Sequence, residues 1–269
     1  MKMRASQVLR KLRAGQNASC IKINITNPQV TEMAAMAGFD CVWVDQEHIG
    51  QDWSVLNSQI LSAKAHDTDI IVRVPRGSYS DLVKPLEMDA TGIMVPHVMN
   101  LQDAKDVIRK TRFHPLGLRA IDGGNADGGY TNINFNDYLV QANRERFIAL
   151  QIEDPEPLKE LDAIAALDGF DMLFFGPGDF SQGIGAPGEW NHPELLAARK
   201  KAAEIARKHG KFAATTGSID KLDEFLDMGY SFVSVGADVV GLSAYFHGLA
   251  SRFHKTGSGE KTSSLESYK

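Results

Sequence analysis

Eight short apolar runs recur along the chain, and their rhythm limits the fold more than any other feature. They are Cys20–Asn24, Cys41–Asp45, Ile70–Val74, Gly92–Val95, Phe147–Ile152, Met172–Phe175, Phe212–Thr215 and Phe232–Val235. Most are continuous rather than alternating, the mark of parallel strands covered on both faces. Between them lie segments with apolar residues at three- and four-residue spacing: Pro28–Ala37, Trp53–Ala65, Tyr79–Met88, Leu101–Lys110, His192–His209 and Ile219–Met228. That spacing predicts amphipathic helices. Junctions such as Gly38-Phe39-Asp40 and Gly229-Tyr230-Ser231 end a helix on glycine and enter a strand. Eight strands with helices between them predict a TIM (β/α)8 barrel, and 269 residues is close to the usual ~250. A doubly wound open sheet is the competing fold, but no glycine-rich dinucleotide fingerprint follows the first strand.

One barrel domain is expected over residues 1–255, with a polar, mobile tail at 256–269. Leu116–Tyr138, rich in Gly, Asp and Asn, reads as one long loop. A net charge of -5 argues against nucleic acid as a partner, which would demand a surplus of Lys and Arg. No apolar run approaches the roughly 18 residues of a membrane span, so no membrane partner is expected. The charged start lacks a secretory h-region. The two cysteines, Cys20 and Cys41, lie in strand-like runs, where buried free thiols and a cytoplasmic setting are expected.

A barrel of this kind carries its active site at the C-terminal strand ends. There the sequence places Asp45, Glu47 and His48, then Arg73, then His97, then Gln151 with Glu153 and Asp154. The series continues with Gly176-Pro177-Gly178-Asp179, Thr215 and Thr216, and Asp238. Glu153 and Asp179 have a bland reading as helix caps, and Asp154, before Pro155, is the better cap of its pair. On one rim the two acids also suit a hard cation, Mg2+ or Mn2+, with water and substrate oxygens completing the shell. Asp45 with His48 reads either as a structural hydrogen bond or as a base whose tautomer a carboxylate fixes. Arg73 either pairs with an acid or meets a substrate carboxylate or enolate oxygen. His97, His114 and His192 stand alone near prolines and read as capping or packing residues.

The run Ala37-Gly38-Phe39-Asp40-Cys41-Val42-Trp43-Val44-Asp45-Gln46-Glu47-His48 resembles the opening signature of the HpcH/HpaI family of class II pyruvate aldolases. So do Val72-Arg73-Val74, Met94-Val95-Pro96, Thr111–Arg119, Gln151-Ile152-Glu153, Phe175–Ser181 and Val233–Asp238, in order from about residue 6 to about 250. The resemblance implies a TIM barrel with Glu153 and Asp179 holding a divalent metal: Mg2+, Mn2+ or Co2+. It implies that the metal chelates pyruvate, that Arg73 contacts the pyruvate oxygen, and that His48 with Asp45 handles protons. Gln151, Glu47 and Thr216 fall at the substrate, and backbone N–H groups at Gly178 and Asp179 receive its carboxylate. The implied reaction is reversible cleavage of a 4-hydroxy-2-oxo acid to pyruvate, or a related 2-oxo acid, and an aldehyde through a metal-stabilised enolate. The implied assembly is a hexamer, a trimer of dimers, with an exchanged C-terminal helix and Glu87 reaching a neighbour's site.

The chain departs from the family in its acidic Ala120–Tyr130 loop, in Ile49-Gly50-Gln51-Asp52, and at Gly178 and Phe180. An acidic loop facing the site would disfavour an anionic aldehyde. Alternatives are a CoA-ester lyase of the citrate-lyase β-subunit type, an enolate-forming decarboxylase, and a non-catalytic 2-oxo-acid-binding regulator. Sparse basic residues near the rim count against the CoA lyase. The retained polar set counts against the regulator.

Overall fold

The computed structural model describes residues 1–257, with side chains through Lys255. Eight parallel strands close into a barrel in sequence order. They are β1 (Ala18–Ile23), β2 (Cys41–Asp45), β3 (Asp69–Arg73), β4 (Gly92–Val95), β5 (Phe147–Ile152), β6 (Met172–Phe175), β7 (Phe212–Gly217) and β8 (Phe232–Ala237). The helices are α1 (Gln7–Arg13), α2 (Pro28–Met36), α3 (Trp53–Ala65), α4 (Tyr79–Glu87), α5 (Leu101–Thr111), α6 (Phe135–Glu145), α7 (Leu161–Ala165), α8 (Pro177–Gly183), α9 (Pro193–Lys208), α10 (Leu222–Met228) and α11 (Asp238–Gly257). The barrel, not the open sheet, is the fold. Beyond residue 257 the expected tail lies outside the described residues.

The apolar runs divide between two cores by parity, because successive strand side chains point to opposite faces. Cys20, Cys41, Trp43, Ile71, Met94, Phe147, Ala149, Met172, Phe174, Ala214 and Phe232 fill the barrel, and Val8, Leu9 and Leu12 of α1 pack against them. Val42, Val44, Ile70, Val72, Ile93, Val95, Ile148, Leu150, Leu173 and Phe175 face the helices. Continuing the inward parity one step carries Lys22, Asp45, Arg73, Gln151, Thr216 and Ser234 to the barrel's C-terminal mouth. Both cysteines are buried and free, as expected.

The long loop ends sooner than its composition suggests. Asn134 accepts from the N–H groups of Asn136 and Asp137 and so caps α6, whose buried Tyr138 and Ala142 lie four apart. The acidic loop itself does not face the site. Asp127 is buried, 2.8 Å from Arg146 and 3.1 Å from Arg119, and it accepts from the Tyr138 hydroxyl. Arg146 also bonds Asp89. These residues precede β4 and β5, so this neutralised cluster lies at the N-terminal end of the barrel. Glu87 closes α4 at that same end, and its backbone carbonyl accepts from the Asp127 N–H. Burial raises the Glu87 carboxyl above the usual range, with the Arg119 charge opposing and Asp122 and Asp127 adding to it.

Candidate active site and metal centre

Asp45 is fully buried at the end of β2 and is held by cations. Arg73 donates from Nε to Oδ1 at 3.0 Å and from Nη2 to Oδ2. Lys22 of β1 places Nζ 2.8 Å from Oδ2. Burial alone would raise the Asp45 carboxyl, but Arg73 and then Lys22 outweigh it and hold it at about 2. The indole of Trp43 carries both cations, with Lys22 Nζ 4.8 Å and the Arg73 guanidinium 5.0 Å from its ring centre. Lys22 had no signal of its own, because it interrupts an apolar run; its shared parity with Cys20 was the available clue.

The expected His48–Asp45 pair does not form. The His48 side chain is 57% exposed, and its imidazole lies 3.6 Å from Glu47 Oε2. Only the His48 backbone N–H points to Asp45, at 3.5 Å. Glu47 is the hub instead: Arg73 Nη1 lies 3.0 Å and His97 Nε2 3.5 Å from its oxygens. Two of the Arg73 N–H groups bond Asp45 and a third faces Glu47, which leaves two of the five free for another oxygen.

The histidine that sequence reasoning set aside sits nearest the acids. His97 follows β4, and its backbone N–H donates to Glu153 Oε1 at 2.9 Å. Its Nδ1 lies 2.9 Å from Asp154 Oδ2. Asp154 is therefore a histidine partner and not a cap; the turn that follows, Glu156–Lys159, has no side-chain cap. His192 does cap its helix, accepting from the Glu194 N–H. Asp238 holds the end of β1 by accepting from the Asn24 and Ile25 N–H groups at 2.8 and 2.9 Å. Thr216 bonds the Ser234 carbonyl at 3.1 Å.

Glu153 is buried at the end of β5 and accepts from Gln151 Nε2. Burial pushes its carboxyl up to about 7; the His97 N–H and charge pull it down, Asp179 pushes it further up, and Arg73 opposes. Asp179 stands in the first turn of α8, whose N-cap Gly176 makes no side-chain cap bond. The backbone between these acids is close-set: a Cβ on Gly176 would lie 2.8 Å from Gln151 Nε2, Glu153 Cβ and Glu153 Oε2. One ligand atom each from His97, Glu153 and Asp179 lie within 4.8 Å of one another. Gln151 Oε1 is buried without a hydrogen-bond partner among the described residues. A buried carboxylate short of positive charge, beside a second acid and an orphaned amide oxygen, fits a divalent cation.

Barrel and rim together define a carbon–carbon lyase built on a TIM barrel. Residues 20–244 match the model of the HpcH/HpaI aldolase/citrate lyase family. A hydroxypyruvate/pyruvate aldolase of Pseudomonas aeruginosa is 30% identical over 230 residues, covering 85% of each chain. A 5-keto-4-deoxy-D-glucarate aldolase of Enterobacter sp. (strain 638) is 32% identical over 187 residues, covering 70% of this chain and 72% of that one. The crystal structure of an HpcH/HpaI aldolase from Desulfitobacterium hafniense DCB-2 superposes with a TM-score of 0.86 at 26% identity, covering 91% of this chain and 96% of that one. The chain belongs to the HpcH/HpaI aldolase/citrate lyase family.

Proposed function

We propose that the chain cleaves a 4-hydroxy-2-oxo acid reversibly to pyruvate, or a related 2-oxo acid, and an aldehyde, using a divalent cation held by Glu153 and Asp179. The observation that carries this reading is the electrostatic division of the rim. Asp45 is saturated by Arg73 and Lys22, whereas Glu153 has only the His97 ring, 3.8 Å away at Nδ1 and shared with Asp154 and Glu47, and the more distant Arg73 charge, which leave its carboxyl pushed up to about 7 beside Asp179. Two relatives named as aldolases of a pyruvate or keto-deoxy sugar acid support the same chemistry.

When bound, Mg2+, Mn2+ or Co2+ supplies Lewis-acid charge that lowers the cost of negative charge on the 2-oxo group. Arg73, locked in plane by Asp45, offers its two remaining N–H groups to that oxygen. Gln151 braces Glu153. The N–H groups of Gly178 and Asp179 receive the substrate carboxylate. His48 takes the C4 hydroxyl proton, with Glu47 rather than Asp45 as its carboxylate neighbour. Lys22 acts as a fixed cation beside Asp45; a lysine engaged in an ion pair is a poor amine nucleophile.

The aldehyde portion extends past Gly178 and Thr216 into a cavity of about 600 Å³. There the Arg199 guanidinium, stacked 5.1 Å from the Phe225 ring centre, meets an acidic distal group. The assembly is a hexamer with exchange of α11. That helix leaves Val240, Phe246 and Phe253 at 64, 57 and 77% exposure, an apolar surface that calls for a second subunit. In that assembly Glu87 serves a neighbouring site. The proposed setting is cytoplasmic; no described helix is long and apolar enough to cross a membrane.

The test pairs exchange of pyruvate methyl protons into D2O with condensation of pyruvate and a panel of aldehydes. Cation-dependent exchange and faster condensation with acid semialdehydes than with neutral aldehydes are expected. Exchange that persists in chelator-treated protein refutes the metal reading. Binding of cation and pyruvate without exchange or turnover indicates the regulator.

A further inference from the structure

We propose that His97 is a third protein ligand to the cation, oriented by Asp154, so that the site is a one-histidine, two-carboxylate centre. The inference rests on the reading of Glu153 and Asp179 as metal ligands and adds to it.

Four features of this chain point to it. The first is proximity: a ring nitrogen of His97 belongs with Glu153 and Asp179 in a set whose ligand atoms all lie within 4.8 Å of one another. Ligand atoms about 2.0–2.2 Å from a common ion stand roughly 3–4 Å apart, so closure needs only a small movement. The second is the backbone. His97 has a φ of 47°, in the left-handed region that a non-glycine residue adopts only when its surroundings impose it. That turn aims its N–H at Glu153 Oε1 and fastens the end of β4 to the end of β5.

The third feature is the Asp154 contact. Metal-bound histidines almost always give their other ring N–H to a carboxylate or carbonyl, which fixes tautomer and ring orientation. Asp154 Oδ2 lies 2.9 Å from His97 Nδ1, itself 3.8 Å from Glu153 Oε1, while Nε2 lies 3.5 Å from Glu47 Oε1; a turn of the ring that keeps the Asp154 bond is what would bring Nε2 to the cation. The fourth is the neighbouring Gln151, 2% exposed, whose Oε1 is orphaned beside Glu153. An imidazole nitrogen carries a consequence for the metal. Oxygen-only sites suit Mg2+, and a nitrogen donor shifts preference toward the first-row ions Mn2+ and Co2+.

The decisive experiment is pulsed EPR of Mn2+ bound to the full-length protein, with and without 15N-histidine labelling. A nitrogen coupling of directly bound imidazole is expected in the wild type, changing isotopically on labelling. Calorimetry supplies the second arm. His97→Ala is expected to weaken Mn2+ and Co2+ binding by roughly tenfold or more, with Mg2+ affected less, and Asp154→Asn by roughly 10–100-fold. Mn2+ bound without nitrogen coupling overturns the His97 assignment and leaves Glu153 and Asp179 standing. Failure to bind any of the three ions overturns both.

Discussion

Gly176→Ala is the sharpest test of how the acid corner is built. Gly176 has φ -98° and ψ 96°, extended angles that alanine adopts freely, so the change adds no backbone penalty. The whole effect is steric. The new methyl would stand 2.8 Å from Gln151 Nε2 and from two atoms of Glu153, all buried, with the Glu153 Cβ tied to its strand. Overpacking of this kind costs about 1–3 kcal/mol. At roughly 2–4 °C per kcal/mol for a chain of this size, the melting temperature should fall by about 2–12 °C. Glu153 must also shift from its present position, so Mn2+ affinity should drop by about an order of magnitude. Gly178→Ala is the internal control, because among the described residues its Cβ would meet no atom within 4 Å beyond its chain neighbours and its own helix backbone. Thermal melts and calorimetric titrations of both variants read the difference. A Gly176→Ala protein that melts and binds Mn2+ like the wild type would refute the close-set corner.

Three further outcomes follow from the same geometry. The Glu153 carboxyl at about 7 stays protonated over a range where the unfolded group, near 4.5, is ionised. The folded metal-free protein thus holds the extra proton, and its stability should fall as pH rises from about 4.5 to 7. Metal binding demands the carboxylate, so Mn2+ affinity should climb over that interval and level off above it, as pH-dependent titrations with melts would show. Lys22→Met should lower turnover but leave measurable pyruvate proton exchange, and borohydride with pyruvate should add no mass to the wild type; a reduced adduct would restore a Schiff-base route. Asp127→Asn strips a partner from buried Arg146 and Arg119 and should destabilise by about 3–5 kcal/mol in denaturant titrations while leaving metal affinity unchanged.

The barrel and half of the rim were legible because both depend on local pattern. A run such as Cys41–Asp45 declares a buried strand by its composition and ends on its polar residue. Asp45, Arg73, Gln151 and Glu153 were all found that way, and the structure places them together. What was not legible depends on pairing across the chain. His97 looks like an isolated histidine after a proline, and its partner Asp154 lies 57 positions away. Asp45 stands three residues from His48, which suggested a pair; the strand directs the carboxylate inward to Arg73 and Lys22, while the chain beyond it carries the imidazole outward. Asn134 had the credentials of a helix cap, but a glycine- and asparagine-rich approach disguised the helix that follows. The direction in which the acidic loop faces was beyond local pattern altogether, because Arg119 and Arg146 draw Asp127 under the barrel.

The inward parity of the strands sets how such a site can be rewritten over descent. Lys22, Arg73, Gln151 and Thr216 form the uppermost interior tier of the odd-numbered strands, and the tier beneath them is Cys20, Ile71, Ala149 and Ala214. A codon change in the upper tier alters what the mouth recognises and leaves the lower tier packed as before. Inserting one residue within a strand does the opposite, trading every inward side chain beyond it for the helix-facing set. The mouth is therefore a text that admits new letters but no shift of reading frame, which favours substrate change by substitution and confines insertions to the loops.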